Sequence, residues 1–351
     1  MISGSTVGNR ILVTLAALVI VIAGMRAASS LLVPFLLALF LAVLIAPPLS
    51  WLKHKGLPGI LATLIVTGIF VLVGTLLVLL VGSSLEEFSR NFPVYQARIH
   101  ELTTVLLGWL NERGISISSE FVSDYLDPGK AMKLIATILS SMGGILTNGF
   151  LILITVIFLL LEASTLPGKW RAAFAQPEAS LAQVRRIADN INHYMGIKTL
   201  TSLATGIVIA LWLWAVGVDF PVLWGVLAFL FNFVPNIGSI IAAIPAVLLA
   251  LIQLGLGPAL LVVVGYVVVN VAIGTFLEPR YMGRSLGLST LVVFLSLVFW
   301  GWVLGPVGML LSVPLTLTAK IALDSNERTR WLSIMLGSRV EEAQEKPSPG
   351  G

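Results

Sequence analysis

Residues 229–248 read Phe-Leu-Phe-Asn-Phe-Val-Pro-Asn-Ile-Gly-Ser-Ile-Ile-Ala-Ala-Ile-Pro-Ala-Val-Leu. The stretch is apolar enough to sit in a bilayer, yet Asn232, Pro235, Asn236, Gly238 and Ser239 interrupt its centre. A helix that only spans lipid has no use for such a break. Pro235 lacks a backbone donor and its ring collides one turn back, while Gly238 weakens helix and permits a turn. Irregular backbone at membrane depth persists only where protein buries it or water reaches it, and secondary transporters place their binding sites at such breaks. Two readings follow: a re-entrant hairpin whose tip binds a ligand, or a kinked spanning helix that binds none.

The bulk composition sets the solvent. Of 351 residues, 57% are hydrophobic and only 11% charged, against about a quarter charged in soluble domains. Several apolar runs approach or pass the ~20 residues that cross a bilayer. A transmembrane barrel would instead show short alternating segments. The fold class expected is an all-α integral membrane protein. The net charge of +4 does not point to nucleic acid, because its positives sit beside apolar runs, as in Lys53-His54-Lys55 and Arg185-Arg186, the pattern of cytoplasmic loops. The chain has no cysteine, which excludes disulfides, thiol catalysis and thiolate metal sites.

In chain order, residues 1–82 hold three spans: one from Ile11, one from Leu31 to Pro47, and one from about Ile60 to Val81. The first has the length of a signal-peptide core, but the second follows so closely that an uncleaved span is expected. With a cytoplasmic N-terminus, residues 83–142 lie outside. There Leu85, Phe88, Phe92, Tyr95, Ile99, Leu102, Leu106 and Trp109 recur at spacings of three and four, the seam of a helix packed on another helix, within the subunit or between subunits. Pro93 is expected to interrupt that helix. Residues 143–161 return through the membrane. Residues 162–198 are cytoplasmic, with an apolar stripe of Leu181, Val184, Ile187, Ile191 and Tyr194 that suits a membrane surface or the bundle's inner end.

Residues 199–323 are expected to form the transport core, followed by a polar cytoplasmic tail at 324–351. Between Lys198 and Glu278 the only charged residue is Asp219. Val222–Leu254 is too long for one crossing and too short for two at 1.5 Å per residue, and Leu288–Leu323 repeats that length, broken at Gly305-Pro306-Val307-Gly308. In each, a glycine (Gly238, Gly308) is followed by a short apolar arm and then proline (Pro245, Pro314). One span precedes each hairpin, and those two spans run in opposite directions. An inverted repeat is expected, its hairpins entering from opposite faces with their tips meeting near the midplane. The total is about eight membrane segments, plus the outer helical segment.

Chemistry is sparse. The histidines form no His-Glu-x-x-His pair, and no Gly-x-x-x-x-Gly-Lys-Ser/Thr loop is present, so no metal, cofactor, enzymatic or ATP-coupled reading is supported. Neutral polar groups remain: Asn232, Asn236, Ser239 and Asn270, with the faces of Trp300 and Trp302. Such groups exchange hydrogen bonds with an uncharged solute without a buried countercharge, or else satisfy backbone freed at the breaks. The candidate binding set is therefore Asn232, Pro235, Asn236, Gly238, Ser239, Asn270, Gly305, Pro306 and Gly308. Glu278 and Arg280, flanking Pro279, are candidates for a gate or for proton coupling, or for an ion pair anchoring a loop.

Three motifs extend this reading: Asn232-Phe-Val-Pro-Asn-Ile-Gly-Ser-Ile-Ile-Ala-Ala-Ile-Pro245, Leu277-Glu-Pro-Arg-Tyr-Met-Gly-Arg-Ser-Leu-Gly-Leu-Ser289 and Gly305-Pro-Val-Gly-Met-Leu-Leu-Ser-Val-Pro314. Together with His193-Tyr-Met-Gly-Ile-Lys-Thr-Leu200, they resemble the autoinducer-2 exporter family over nearly the whole chain. The resemblance implies a homo-oligomer in the bacterial inner membrane, exporting the small furanose-like signal autoinducer-2; from the order of spans, both termini are expected to be cytoplasmic. Some relatives resemble sodium/proton antiporters, so a cation/proton antiporter using Glu278 or Glu162 is the alternative within transport. A membrane scaffold binding partners through its outer helices is the alternative outside it.

Overall fold

The computed structural model describes residues 3–113, 149–173, 177–235, 237–282, 287–324, 327 and 329–337. Asn236, residues 114–148 and residues 338–351 are among those that lie outside the described residues. The chain is an all-α integral membrane protein. Its elements are α1 (Ser3–Ala27), α2 (Ser29–His54), α3 (Gly59–Glu112), α4 (Gly149–Ala173), α5 (Pro177–Val216), α6 (Pro221–Phe231), α7 (Gly238–Leu254), α8 (Leu256–Val269), a π-helical segment (Asn270–Leu277), α9 (Glu278–Met282), α10 (Thr290–Asp324) and α11 (Arg330–Met335). Among the described residues, five stretches are long and apolar enough to cross a membrane: Ser29–His54, Gly59–Val105, Ala188–Val216, Leu256–Leu277 and Thr290–Asp324. Large apolar side chains such as Leu260, Val264 and Val268 of α8 point outward, as a hydrocarbon solvent allows.

The chain divides into two compact units. One comprises Pro48–Leu153 and Gly196–Gly283, the other Met1–Pro47, Ile154–Met195 and Arg284–Gly351.

In the first unit, α6 and α7 fold back on each other through residues 232–237. A Cβ on Gly238 would overlap the carbonyl group of Phe231, so only glycine lets the arms approach this closely. The turn is held by backbone bonds from Val234 N–H to Phe231 O (2.8 Å) and from Ile237 N–H to Pro235 O (2.7 Å). A second glycine contact joins α5 to α6: a Cβ on Gly206 would lie 2.7 Å from Gly225 O, and one on Gly225 would lie 2.6 Å from Gly206 O. Such small-residue faces let membrane helices pack where no hydrophobic drive exists. The core beneath is apolar and includes Ile209, Leu213, Leu223, Trp224, Leu227, Leu249 and Val262.

The long helix α3 corrects one expectation. It continues through Pro93, although an interior proline costs about 3 kcal/mol. Packing on both sides of the proline supplies the compensation. Phe88 and Tyr95 are buried in the α6–α7–α8 core, with Phe92 and Ile99 against it, and the Phe88 ring meets Phe220 edge-on at 6.2 Å. This part of the seam is thus occupied by the protein's own chain; the side chains of Leu85, Leu102, Leu106 and Trp109 lie outside the described residues. Tyr95 Oη donates to an Asp219 carboxylate oxygen at 2.8 Å. Gln253 accepts from Asp219 N–H at 3.0 Å, which ties the α5–α6 loop to α7.

In the second unit, α10 turns back at Gly305, whose φ of 69° and ψ of −153° are not helical. Trp300 Nε1 donates to Thr316 Oγ1 at 3.0 Å, although the two are 16 positions apart. A straight helix would separate them by about 24 Å, so the arms lie side by side. As in the first hairpin, a Cβ on the glycine of the return arm, here Gly308, would overlap a carbonyl of the outgoing arm, here Trp300.

Substituting Gly225→Val should drive α5 and α6 apart and cost about 1–3 kcal/mol. The expected readout is a lowered thermal-unfolding midpoint in detergent. Gly68→Ala, which has nothing within 4 Å of its added Cβ, should not lower it.

Candidate functional site

Helix α5 is amphipathic in the inverse sense of a soluble helix. Leu200, Leu203, Ile207, Leu211 and Trp214 are exposed, whereas Lys198, Thr201, Ser202 and Thr205 are buried. Spacings of three and four put the buried set on one face. Polar groups turned inward, away from a hydrocarbon solvent, need protein or ligand partners. Each level of this face has them, and all of the partners belong to the same unit.

At the lowest level, Lys198 Nζ donates to both carboxylate oxygens of Glu278, at 2.7 and 2.9 Å. Their side chains are only 7% and 16% exposed. One turn up, Asn232 Nδ2 donates to Ser202 Oγ at 2.9 Å, a buried bond between the first hairpin's tip and α5. Between these levels the hydroxyl of Thr199 is buried with no hydrogen-bond partner among the described residues. A buried polar atom without a partner calls for a water, an ion or a ligand. At the third level, Thr205 faces a small crevice with Ser239, Tyr266 and Asn270, walled by Ile209, Ala228 and Val269. Tyr266 Oη donates to Ala242 O at 3.4 Å. Thr205 Oγ1 donates to Thr201 O at 2.9 Å, which leaves its lone pairs for a donor. About 10 Å³ of the crevice is free, close to the space of one water and far below the 300–1,000 Å³ typical of ligand pockets. In this conformation the face is closed.

The residues singled out in the sequence have separate fates. Ser239 and Asn270 share the crevice. Asn232 is engaged with Ser202, while Pro235 and Gly238 build the turn rather than offer polar side chains. Asn236 lies outside the described residues. Gly305, Pro306 and Gly308 form the fold-back of α10, in the other unit. Trp300 is spent on Thr316, and the Trp302 face is covered by the Arg26 guanidinium at 4.4 Å. Glu278 has Lys198, not Arg280, as its ion partner; Arg280 is exposed. Sequence reading passed over Lys198, Ser202, Thr205 and Tyr266. The signal was there: Lys198, Ser202 and Thr205 are polar at helical spacing where an apolar span begins.

The pattern of AI-2E family transporters matches residues 15–328. The chain belongs to the AI-2E transporter family. It is 43% identical to the AI-2 transport protein TqsA of Escherichia coli (strain K12), over 95% of this chain and 97% of the other. It is 39% identical to a putative transport protein of Haemophilus influenzae, over 94% and 96%. A more distant relative, 25% identical over 85% and 90%, is a sodium-lithium/proton antiporter of Halobacillus andaensis. An AI-2E protein is a bacterial membrane transporter, so the closed polar face of α5 belongs to a machine that moves a solute.

Asn232→Leu and Ser202→Ala, taken singly and together, should give a coupling energy of about 0.6 kcal/mol and no more than about 1.7, as for hydrogen bonds between membrane helices. Reversible unfolding in detergent measures it.

Proposed function

We propose that the protein exports a small neutral polar signal, autoinducer-2, across the bacterial inner membrane. The observation that carries this reading is the buried face of α5. Above one ion pair, its hydroxyl and amide groups are all neutral. A neutral solute rich in hydroxyls exchanges its hydration for such groups without a countercharge. The name of the Escherichia coli relative supplies the identity of the signal; the chemistry of the face supplies its class.

The mechanism proposed is alternating access. The two fold-backs act as re-entrant hairpins entering from opposite faces, as inverted repeats do. Motion of the hairpin-bearing core, residues 199–323, opens the path to one side at a time. Ser239 and Asn270 contact the solute with Thr205 and Tyr266, while the Pro235–Gly238 and Gly305–Gly308 turns set the depth of each tip, with Asn236 in the first. Both termini are cytoplasmic and the protein works as a homo-oligomer. The second reading, sodium or lithium exchange for protons, is favoured by the antiporter among the relatives and by the buried carboxylate of Glu278.

Labelled autoinducer-2 flux from proteoliposomes tests both. Thr205→Val and Asn270→Leu should each lower flux about tenfold, the equivalent of 1.4 kcal/mol, with the unfolding midpoint unchanged. Flux insensitive to both substitutions would remove the polar face from the mechanism. Proton release on adding sodium or lithium, without signal flux, would establish the second reading instead.

A further inference from the structure

We propose that Lys198 and Glu278 are the inner latch of the path, and that the π-helical segment Asn270–Leu277 is the hinge that releases it. The proposal rests on the transport reading above and adds to it the residues that close one end.

Position is the first argument. From Lys198 to the end of α5 is about 27 Å at 1.5 Å per residue, close to the ~30 Å of bilayer hydrocarbon. Asp219, bound to Tyr95, marks the far end. The ion pair therefore sits where the apolar layer ends on the other side, one turn below the Asn232–Ser202 bond. Whatever leaves the polar face by that end must pass the pair.

The second argument is the pair itself. A Lys–Glu pair this buried repays its lost hydration only while both groups stay together. Separated, both must reach water. The pair thus has two stable arrangements, joined and dry or parted and wet, and the second is an open mouth.

The third argument is the segment that carries Glu278. A π-helix is rare and usually short; here Asn270–Leu277 is π-helical throughout. One end is Asn270, which lines the crevice; the next residue after the other end is Glu278. No residue of the segment is fully buried; Ile273 packs against the core, a light hold on its register, and Gly274 lies within it. Returning one residue to α-helical register rotates everything beyond it by about 100°, the angle per residue of a 3.6-residue turn. A rotation of that size takes the Glu278 carboxylate off Lys198. A solute that draws on the Asn270 amide in the crevice is thereby linked to the latch along a single helix.

The chain lacks cysteine, so one introduced thiol reports access without interference. In inside-out membrane vesicles, Ser239→Cys should react slowly with a membrane-impermeant maleimide. Adding Glu278→Gln or Lys198→Met should speed labelling at least tenfold. The exchanged pair Lys198→Glu with Glu278→Lys should restore it to within about twofold of the parent, and Lys198→Arg should leave it slow. Deleting Ala272 removes the extra residue and leaves Glu278 facing Lys198 without the hinge, so labelling should stay slow while autoinducer-2 flux falls at least tenfold. If folded, monodisperse single variants label at the parental rate, or only from the opposite face, the latch is overturned. If the exchanged pair stays fast, the two residues do not act as a pair and the latch is likewise overturned. If the folded Ala272 deletion transports autoinducer-2 at the parental rate, the hinge is overturned. Labelling that behaves as expected in a protein without autoinducer-2 flux would sink the substrate reading and leave the latch standing.

Discussion

Each fold-back depends on a glycine placed where any side chain would collide with a backbone carbonyl. Gly238 lies against Phe231, and Gly308 against Trp300. This contact fixes how closely two helical arms run together. In the first hairpin that closeness brings Asn232 to Ser202 and lines the crevice with Ser239. A larger residue at either glycine would splay the arms and withdraw the tip. The polar face of α5 would then lack the partners that make its burial tolerable.

That face shows how a membrane transporter inverts the ordinary packing rule. Outside α5 is hydrocarbon, so Leu200, Ile207 and Trp214 are at ease where they are exposed. Inside, Thr201 and Thr205 return their hydroxyl protons to carbonyls one turn back, a local bond that satisfies the donor and leaves acceptor capacity. The helix thus carries a strip of lone pairs on its inward face. Further along, Ile209 and Leu213 replace it with apolar contacts, so the strip covers only part of the helix. The hairpin tip meets α5 at Ser202, one turn from Lys198.

Much of this was legible in the residues. Excess length with a central Pro-Gly break pointed to the fold-backs, since a straight helix of that length would overrun the bilayer. The fold class followed from the charge deficit, and the family from three motifs. What stayed hidden was pairing. Nothing local to Glu278 says that its partner lies 80 positions earlier, and neighbouring Arg280 offered a nearer one. Asn232 looked like a ligand group because the partner that engages it is a serine on another helix. Pro93 misled for a related reason: propensity is local, whereas the aromatic contacts that hold α3 straight through it come from Phe220 and the core beneath.

The pairing also separates the two carboxylates that the sequence offered for ion coupling. Glu162 pairs with Lys169 at the surface, both more than half exposed, and such a pair contributes about 0–1 kcal/mol and exchanges freely with water. Protonating it alters little. Glu278 is held by a single ammonium where its side chain is 16% exposed, and neutralising one member leaves the other largely out of water without its countercharge, a costly state. Only a group whose charge is that costly to leave unpaired can convert proton or cation binding into movement of the helix that bears it. Of the two, Glu278 is the one whose surroundings suit the antiport reading proposed above.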